Sequence, residues 1–157
     1  MRNQSAIDPP VRLIGMSNPA NLQRFIDAQD PVYQDVMEEL AAGRKTSHWM
    51  WFVFPQLEGL GRSEMAKHYA IASSVEALAY WQHPVLGERL KQCIELVMAV
   101  KGKTAFQIFD TPDDLKFCSS LTLFAAVLPD VPLFKLALEK YFKGQGDPRT
   151  LELLRRR

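Results

Sequence analysis

The stretch HPVLGERLKQCIELVMAVKG, residues 83–102, decides the fold class. Its apolar residues recur at intervals of three and four, which places them on one face of an α-helix: Leu86, Leu90, Ile94 and Val97. Pro84 favours the start of this helix, and Gly102 favours its end. The stretch therefore predicts a long amphipathic helix that buries one face in a core.

Outward from this stretch, the chain carries further helix boundaries of the same kind. A polar side chain directly before a proline caps the free amide groups of a helix, and the proline presets its first turn. Four dipeptides have this form: Asn18-Pro19, Asp30-Pro31, Thr111-Pro112 and Asp147-Pro148. The helix after Thr111 is expected to bury the stripe Leu115, Cys118, Leu121, Thr122 and Ala125. Because no segment has a comparable strand pattern, the sequence predicts an all-α protein, an irregular bundle of about seven to nine helices.

Length and charge exclude several classes of protein. The 157 residues, 47% of them apolar and 24% charged, match one ordinary globular domain. Nineteen basic and 18 acidic residues give a formal charge of +1, which provides no field that attracts nucleic acid or an anionic membrane. The two cysteines cannot form a disulfide framework, and no apolar run approaches the ~20 residues of a membrane helix. We therefore expect a cytoplasmic protein with reduced thiols that binds neither nucleic acid nor membranes.

The chain divides into three predicted parts. Residues 1–18 contain Asp8-Pro9-Pro10 and no sustained period, which indicates a flexible leader. Residues 19–154 form a single helical domain. Residues 155–157, all arginine, are expected to be a solvated basic tail. Function is therefore expected to come from a local site in residues 19–154.

One segment of the predicted domain, HWMWFVFP at residues 48–55, is apolar on every face. This pattern fits either a buried helix or a short strand. A cap at Thr46 or Ser47 favours the helix.

The same segment begins a series of motifs that resembles a known family. The motifs are KTSHWMWFVFPQ (residues 45–56), GLGRS (59–63), HPVLG (83–87), DDLK (113–116) and SSLTLF (119–124). In this order they are similar to the successive signatures of domain of unknown function 1810, over about residues 22–154. The resemblance implies a mainly helical bacterial cytoplasmic protein, sometimes labelled calpastatin, with no established activity and no catalytic residues to carry over.

Two positions depart from the family pattern. Asp110 stands where a glycine is usual, and Cys118 stands where a basic residue is common. A function that depends on the turn before Thr111, or on a cation beside Ser119, is therefore less expected in this chain.

The polar tips within the aromatic segment have two interpretations. His48, Trp49, Trp51 and Gln56 carry hydrogen-bonding groups in an apolar stretch, and buried groups of this kind need partners. In the first interpretation the rings are core and the backbone satisfies the polar groups. In the second the tryptophans stack on a planar ring while His48 and Gln56 bond to its edge, as in apolar pockets with a few polar groups.

The next motif, GLGRS, could bind an anionic group attached to such a planar ring. Gly59 and Gly61 let backbone amides converge, and Ser63 is placed to cap the helix that comes after it. Arg62 can form a forked contact with an oxyanion. The alternative is an ordinary glycine turn with a solvated arginine.

Lys116 and Ser119 complete the candidate ligand site if their helix packs against the aromatic segment. Together these residues favour the binding of a small planar anion of the nucleotide type. No cofactor and no metal are predicted, because His48, His68 and His83 are widely spaced and lack partners at ligand spacing.

Two further functions stay open at this stage. The first is an N-glycosidase-type enzyme acting on ADP-ribose-like or ribosylated nucleotides, with Glu64 or Asp114 as its acid or base. The second is an interaction domain whose aromatic surface docks a partner helix or a second copy of the chain. A homo-oligomer is therefore also left open.

Overall fold

Ten helices make up the part of the chain that the computed structural model describes, residues 19–157. These residues contain no β-strand, and one isolated parallel bridge pairs Leu57 with Ile71. The all-α prediction is confirmed, with one helix more than the upper expected number. The predicted leader and the predicted cap Asn18 lie outside the described residues. The helices are α1 (Pro19–Gln29), α2 (Tyr33–Ala41), α3 (Met50–Val53), α4 (Glu64–His68), α5 (Ser74–Gln82), α6 (Leu86–Ala99), α7 (Ala105–Phe109), α8 (Asp113–Val127), α9 (Pro132–Phe142) and α10 (Pro148–Arg155).

The helix predicted from residues 83–102 is α6, and its expected apolar face is fully buried: Leu86, Leu90, Ile94 and Val97. The helix begins two residues after Pro84. Before it, the ring Nδ1 of His83 accepts hydrogen bonds from the backbone amides of Val85 (3.1 Å) and Leu86 (3.4 Å). His83 therefore has a local role at the start of α6.

Gly87 sets the close approach of α6 to α5. A Cβ at this position would overlap the backbone carbonyl oxygen of Trp81. The indole of Trp81 packs edge-on against Phe134 of α9, with ring centroids 5.2 Å apart. The missing side chain at one position thus lets α5 and α6 meet while Trp81 joins them to α9.

The centre of the core is α8, which packs against α5, α7, α9 and α10. Its buried residues occupy most of its surface: Phe117, Ser119, Ser120, Leu121, Thr122, Leu123, Phe124 and Ala125. The expected burial of Leu115 is wrong, because 59% of this residue is exposed. Leu115 lies two positions before the buried Phe117 and therefore on the opposite side of the helix.

The proline-marked helix starts at Asp30 and Asp147 have different outcomes. Asp147 caps α10 as predicted, accepting a hydrogen bond from the amide of Arg149 at 3.2 Å. Asp30 does not cap α2, which begins at Tyr33 without a side-chain cap. Its carboxylate instead forms an ion pair with the guanidinium of Arg89 at 2.9 Å. A partner distant in sequence has therefore replaced the local cap.

The predicted cap at Thr111 is also wrong, and the helix before it was not predicted. That helix, α7, begins with a capping box in which Thr104 and Gln107 each accept a hydrogen bond from the other's backbone amide. The residue after its last turn is Asp110, whose φ of +59° lies in the region that glycine adopts most readily. The next helix, α8, starts at Asp113 without a side-chain cap.

The aromatic segment forms a helix of a single turn, α3, and the rest of it is irregular. Helix is therefore the better of the two expectations, but the expected caps are wrong. Neither Thr46 nor Ser47 caps α3, because both are bound to a carboxylate of α2.

The last three arginines are exposed, and two of them form ion pairs. Arg155 ends α10, and Arg156 pairs with Glu152 at 2.9 Å. The guanidinium of Arg157 donates to the backbone carbonyls of Glu58 (2.9 Å) and Ala72 (3.0 Å). The end of the chain therefore ties together the two loops that flank the Leu57–Ile71 bridge.

The burial of α6 gives a direct test of the core. Leu90→Ala is expected to lower the free energy of unfolding by about 2 to 5 kcal/mol, because it leaves a cavity on the buried face. Lys91→Ala, at the exposed neighbouring position, should stay within about 0.5 kcal/mol of the wild type. Urea unfolding measures both values. Similar effects for the two variants would contradict this placement of the core.

Candidate functional site

Glu39 of α2 fixes the start of the aromatic segment. Its carboxylate accepts hydrogen bonds from the amides of Thr46 (2.8 Å) and Ser47 (3.1 Å) and from the Ser47 hydroxyl (2.5 Å). It also accepts the indole N–H of Trp49 at 2.9 Å. Burial alone would raise the pKa of this carboxyl group, but the four donors lower it to about 2.

Trp49 is consequently part of the core and is not available to a ligand. Its side chain is only 1% exposed, and its ring packs against Phe54 with centroids 6.2 Å apart. Its N–H group is already used by Glu39. The first interpretation of the aromatic segment is therefore correct for Trp49, and the predicted stacking of a ligand on its ring is wrong.

A chain of three charges joins the aromatic segment to the first turn of α8. The ammonium group of Lys45, whose side chain is 7% exposed, lies 2.8 Å from the carboxylate of Asp113 and donates to the carbonyl of Ser47 at 2.6 Å. The second oxygen of Asp113 lies 3.6 Å from the ammonium group of Lys116. Lys45 is therefore held closely, whereas Lys116 has the longer contact of the two.

Both lysines that contact Asp113, Lys45 and Lys116, also lie over a tryptophan ring. The Lys45 nitrogen is 5.0 Å from the centroid of a Trp49 ring, and the Lys116 nitrogen is 5.3 Å from that of Trp51. A cation at this distance is attracted by the negative face of the ring. Lys116 is partly exposed and Trp51 is half-buried, so this second pair faces solvent.

Trp51 borders a narrow crevice that brings several predicted site residues together. The crevice is lined by Trp51, Gln56, Leu57, Gly61, Ala66 and Tyr69. Its volume of about 10 Å³ leaves room for about one water molecule. Trp51, Gln56 and Gly61 therefore meet as expected, with Lys116 beside them, but the crevice does not enclose a planar ligand.

The GLGRS motif forms a compact capped turn. Gly59 has a φ of +104°, which other residues rarely adopt, and a Cβ at Gly61 would overlap that of Ala66. The Ser63 hydroxyl accepts the amide of Ala66 at 3.1 Å and so caps α4 as predicted. Arg62 is exposed and forms no ion pair with another described residue.

Ser119 faces another part of the molecule, so its expected place beside Trp51 is wrong. Its hydroxyl lies 2.8 Å from the carboxylate of Asp147 and 3.1 Å from the carbonyl of Leu115. The hydroxyl of Thr150 bonds to the same Asp147 oxygen at 2.6 Å. Ser119 lines a groove of about 430 Å³ between α8 and the segment that leads into α10. The contact between Ser119 and Asp147 therefore links α8 to the start of α10.

The histidines and cysteines have separate surroundings. His48 is exposed, and the ring of His68 packs edge-on against Tyr69 with centroids 4.6 Å apart. In residues 19–157 no three His, Cys, Asp or Glu side chains are grouped so that they could hold a metal ion. Burial raises the pKa of the Cys93 thiol to about 12 and also raises that of Cys118. Both cysteines are free thiols.

Three residues of this region were missed as site residues. Lys45 and Asp113 belong to motifs of the sequence, but their ion pair spans two motifs that are far apart in the chain. Glu39 lies outside every motif, and its contact with Trp49 is visible only once α2 is packed. For Lys45 and Asp113, the only signal in the sequence was a charged residue at the first position of a motif.

The ten helices of residues 19–157, with α8 at their centre, define an all-α protein. The sequence profile of the family described as protein of unknown function (DUF1810) matches residues 19–154. The chain therefore belongs to this family, in agreement with the resemblance of its motifs. None of the helices in residues 19–157 is both long and apolar enough to cross a membrane.

A solved structure supports the fold. The chain is similar to the crystal structure of the conserved hypothetical protein Rv1873 from Mycobacterium tuberculosis, with 54% sequence identity and a TM-score of 0.86. The similarity covers 88% of this chain and 99% of that chain. No curated protein sequence matches significantly.

The low pKa of Glu39 predicts a pH-dependent loss of stability. Because the pKa is lower in the folded chain than its ordinary value of 4.5, the carboxylate stabilises the fold fully above about pH 4.5. This contribution is lost as the pH falls towards 2. Glu39→Gln should lower the free energy of unfolding at pH 7 by about 1 to 3 kcal/mol, since it disturbs four hydrogen bonds, one of them from the buried Trp49.

Urea unfolding between pH 7 and pH 2 measures this effect. The gap between wild type and Glu39→Gln should narrow as the pH falls. The matched control is Glu38→Gln, because Glu38 is the exposed neighbour and bonds only to Gln34 on its own helix. A gap that is constant with pH would show that the charge of Glu39 does not stabilise the segment.

Proposed function

We propose that the protein binds a small planar anion of the nucleotide type on the surface formed by Trp51 and Lys116. The observation that carries this proposal is the unequal sharing of Asp113. Its ion pair with Lys45 is 2.8 Å long, whereas its contact with Lys116 is 3.6 Å. Lys116 is thus the cation that an incoming anion can recruit, and it already lies over an aromatic ring.

The surroundings of Trp51 supply the other groups that a planar anion needs. The indole provides a surface for stacking, and Gln56 provides an amide at the edge of the crevice. Arg62 follows Gly61, which borders the same crevice, and adds a second cation without an ion pair to another described residue. His48 is exposed three residues before Trp51.

The shape of the surface sets the strength of binding. Because the crevice holds about 10 Å³, the ligand lies against Trp51 and keeps much of its surface in water. We therefore expect a dissociation constant on the order of 0.1 to 1 mM. The free thiols and the bacterial origin of the similar Rv1873 support a role in the bacterial cytoplasm.

Binding is favoured here over glycosidase activity. Glu64 is exposed in the first turn of α4, and Asp114 accepts a hydrogen bond from the Leu115 amide in the first turn of α8. Acidic side chains at these positions are stabilised by the helix dipole. These local roles account for both carboxylates without an acid–base reaction.

The test uses AMP, ADP-ribose and NAD as probes and follows the indole N–H resonances of the three tryptophans by NMR. The Trp51 resonance should shift on titration while that of Trp49 stays in place, because its N–H is bound to Glu39. Lys116→Gln should weaken binding by about tenfold or more, since a hydrogen bond to a charged group contributes about 1.5 to 3 kcal/mol.

Matched controls separate the site from the rest of the chain. Lys91→Gln removes an exposed lysine of α6, and Trp81→Phe removes the other half-buried indole. Both should leave the affinity unchanged, and Lys116→Gln should keep the wild-type melting temperature. If millimolar concentrations of all three probes leave the Trp51 resonance unmoved, the proposed site is wrong.

A further inference from the structure

An apolar trough lies on the surface between α5, α8, α9 and α10. It consists of two grooves, of about 450 Å³ and 320 Å³, that share Ala126 of α8. The walls of this apolar trough come from Val75 and Leu78 of α5, Val127 of α8, and Leu151 and Leu154 of α10. The trough shares no lining residue with the Trp51 crevice, so its role is independent of the proposed function.

Large apolar side chains around this trough are unusually exposed. Val75 is 52% exposed, and Leu78 and Leu151 are also exposed. On α9, Leu136 is 49% exposed and follows Lys135, which lines the 320 Å³ groove. Exposed apolar side chains grouped in this way are typical of a surface that another molecule covers.

The charges at the edge of the trough indicate which surface fits. Lys135 and Glu139 lie one turn apart on α9, and both line the 320 Å³ groove. Neither forms an ion pair with another residue of the described chain. Two copies of α9 packed antiparallel would bring each lysine opposite the other copy's glutamate. This charge pattern is therefore complementary to itself about a two-fold axis.

We propose that the apolar trough is the contact surface between two copies of this chain. The two-fold axis crosses the exposed face of α9 midway between Lys135 and Glu139. Lys135 of each copy faces the partner's Glu139, and Leu136 of each copy enters the partner's groove beside the exposed Leu151. The formal charge of +1 per chain leaves little net repulsion between the copies.

A charge exchange on α9 tests this arrangement in the full chain. Lys135→Glu places two glutamates opposite each other, and we expect it to weaken the dimer by about tenfold or more. The double variant Lys135→Glu/Glu139→Lys restores opposite charges across the axis. Its dimer should form within about threefold of the wild-type affinity. Sedimentation velocity over a series of protein concentrations measures all three.

The matched control is the pair Lys91 and Glu95, which has the same spacing and exposure on α6. Lys91→Glu alone and the exchange Lys91→Glu/Glu95→Lys should both leave the dimer unchanged. Leu136→Asp, at an exposed position, gives a second test: it should abolish the dimer while keeping the wild-type far-UV circular dichroism spectrum.

Three results would overturn the proposal. The first is a wild-type chain that stays monomeric at a concentration on the order of 1 mM, in which case another partner covers the trough. The second is a double variant that dimerises no better than Lys135→Glu. The third is a dimer that Leu136→Asp leaves intact, because the contact then lies elsewhere.

Discussion

The geometry of the candidate site depends on the carboxylate of Glu39. Four donors from residues 46–49 converge on it, so the segment before α3 has one conformation relative to α2. This conformation turns Trp49 inward. Trp51, two positions later in the helical turn, then points to the opposite side and stays half-buried. One partly buried acceptor thus decides which of the two indoles belongs to the core and which reaches solvent.

The ion pairs transmit this constraint to the rest of the bundle. Lys45 precedes the four donors, and its contact with Asp113 ties them to the first turn of α8. Lys116 is one turn further along the same helix, so its place over Trp51 results from the docking of α8. Because α8 is packed on several sides by other helices, the surface around Trp51 rests on the most buried element of the fold.

The fold was predictable from the sequence wherever local chemistry decides it. The apolar face of α6 and the cap at Asp147 need only neighbouring residues, and both were found. The cap at Asp30 was not, because Arg89 of α6 competes for the same carboxylate. The candidate site divides in the same way. Trp51 and Gln56 are close in sequence and meet at the crevice, whereas Ser119 is directed elsewhere by its contact with Asp147.

The close contact at Gly87 has a consequence for experiments in living cells. Any side chain at this position must push α6 away from the carbonyl of Trp81 and so disrupt the core, without replacing any residue of the Trp51 surface or of α9. A strain that carries a bulky residue at position 87 therefore reports what the cell loses when the folded protein is absent. Comparing that phenotype with those of surface substitutions separates the loss of the protein from the loss of one of its surfaces.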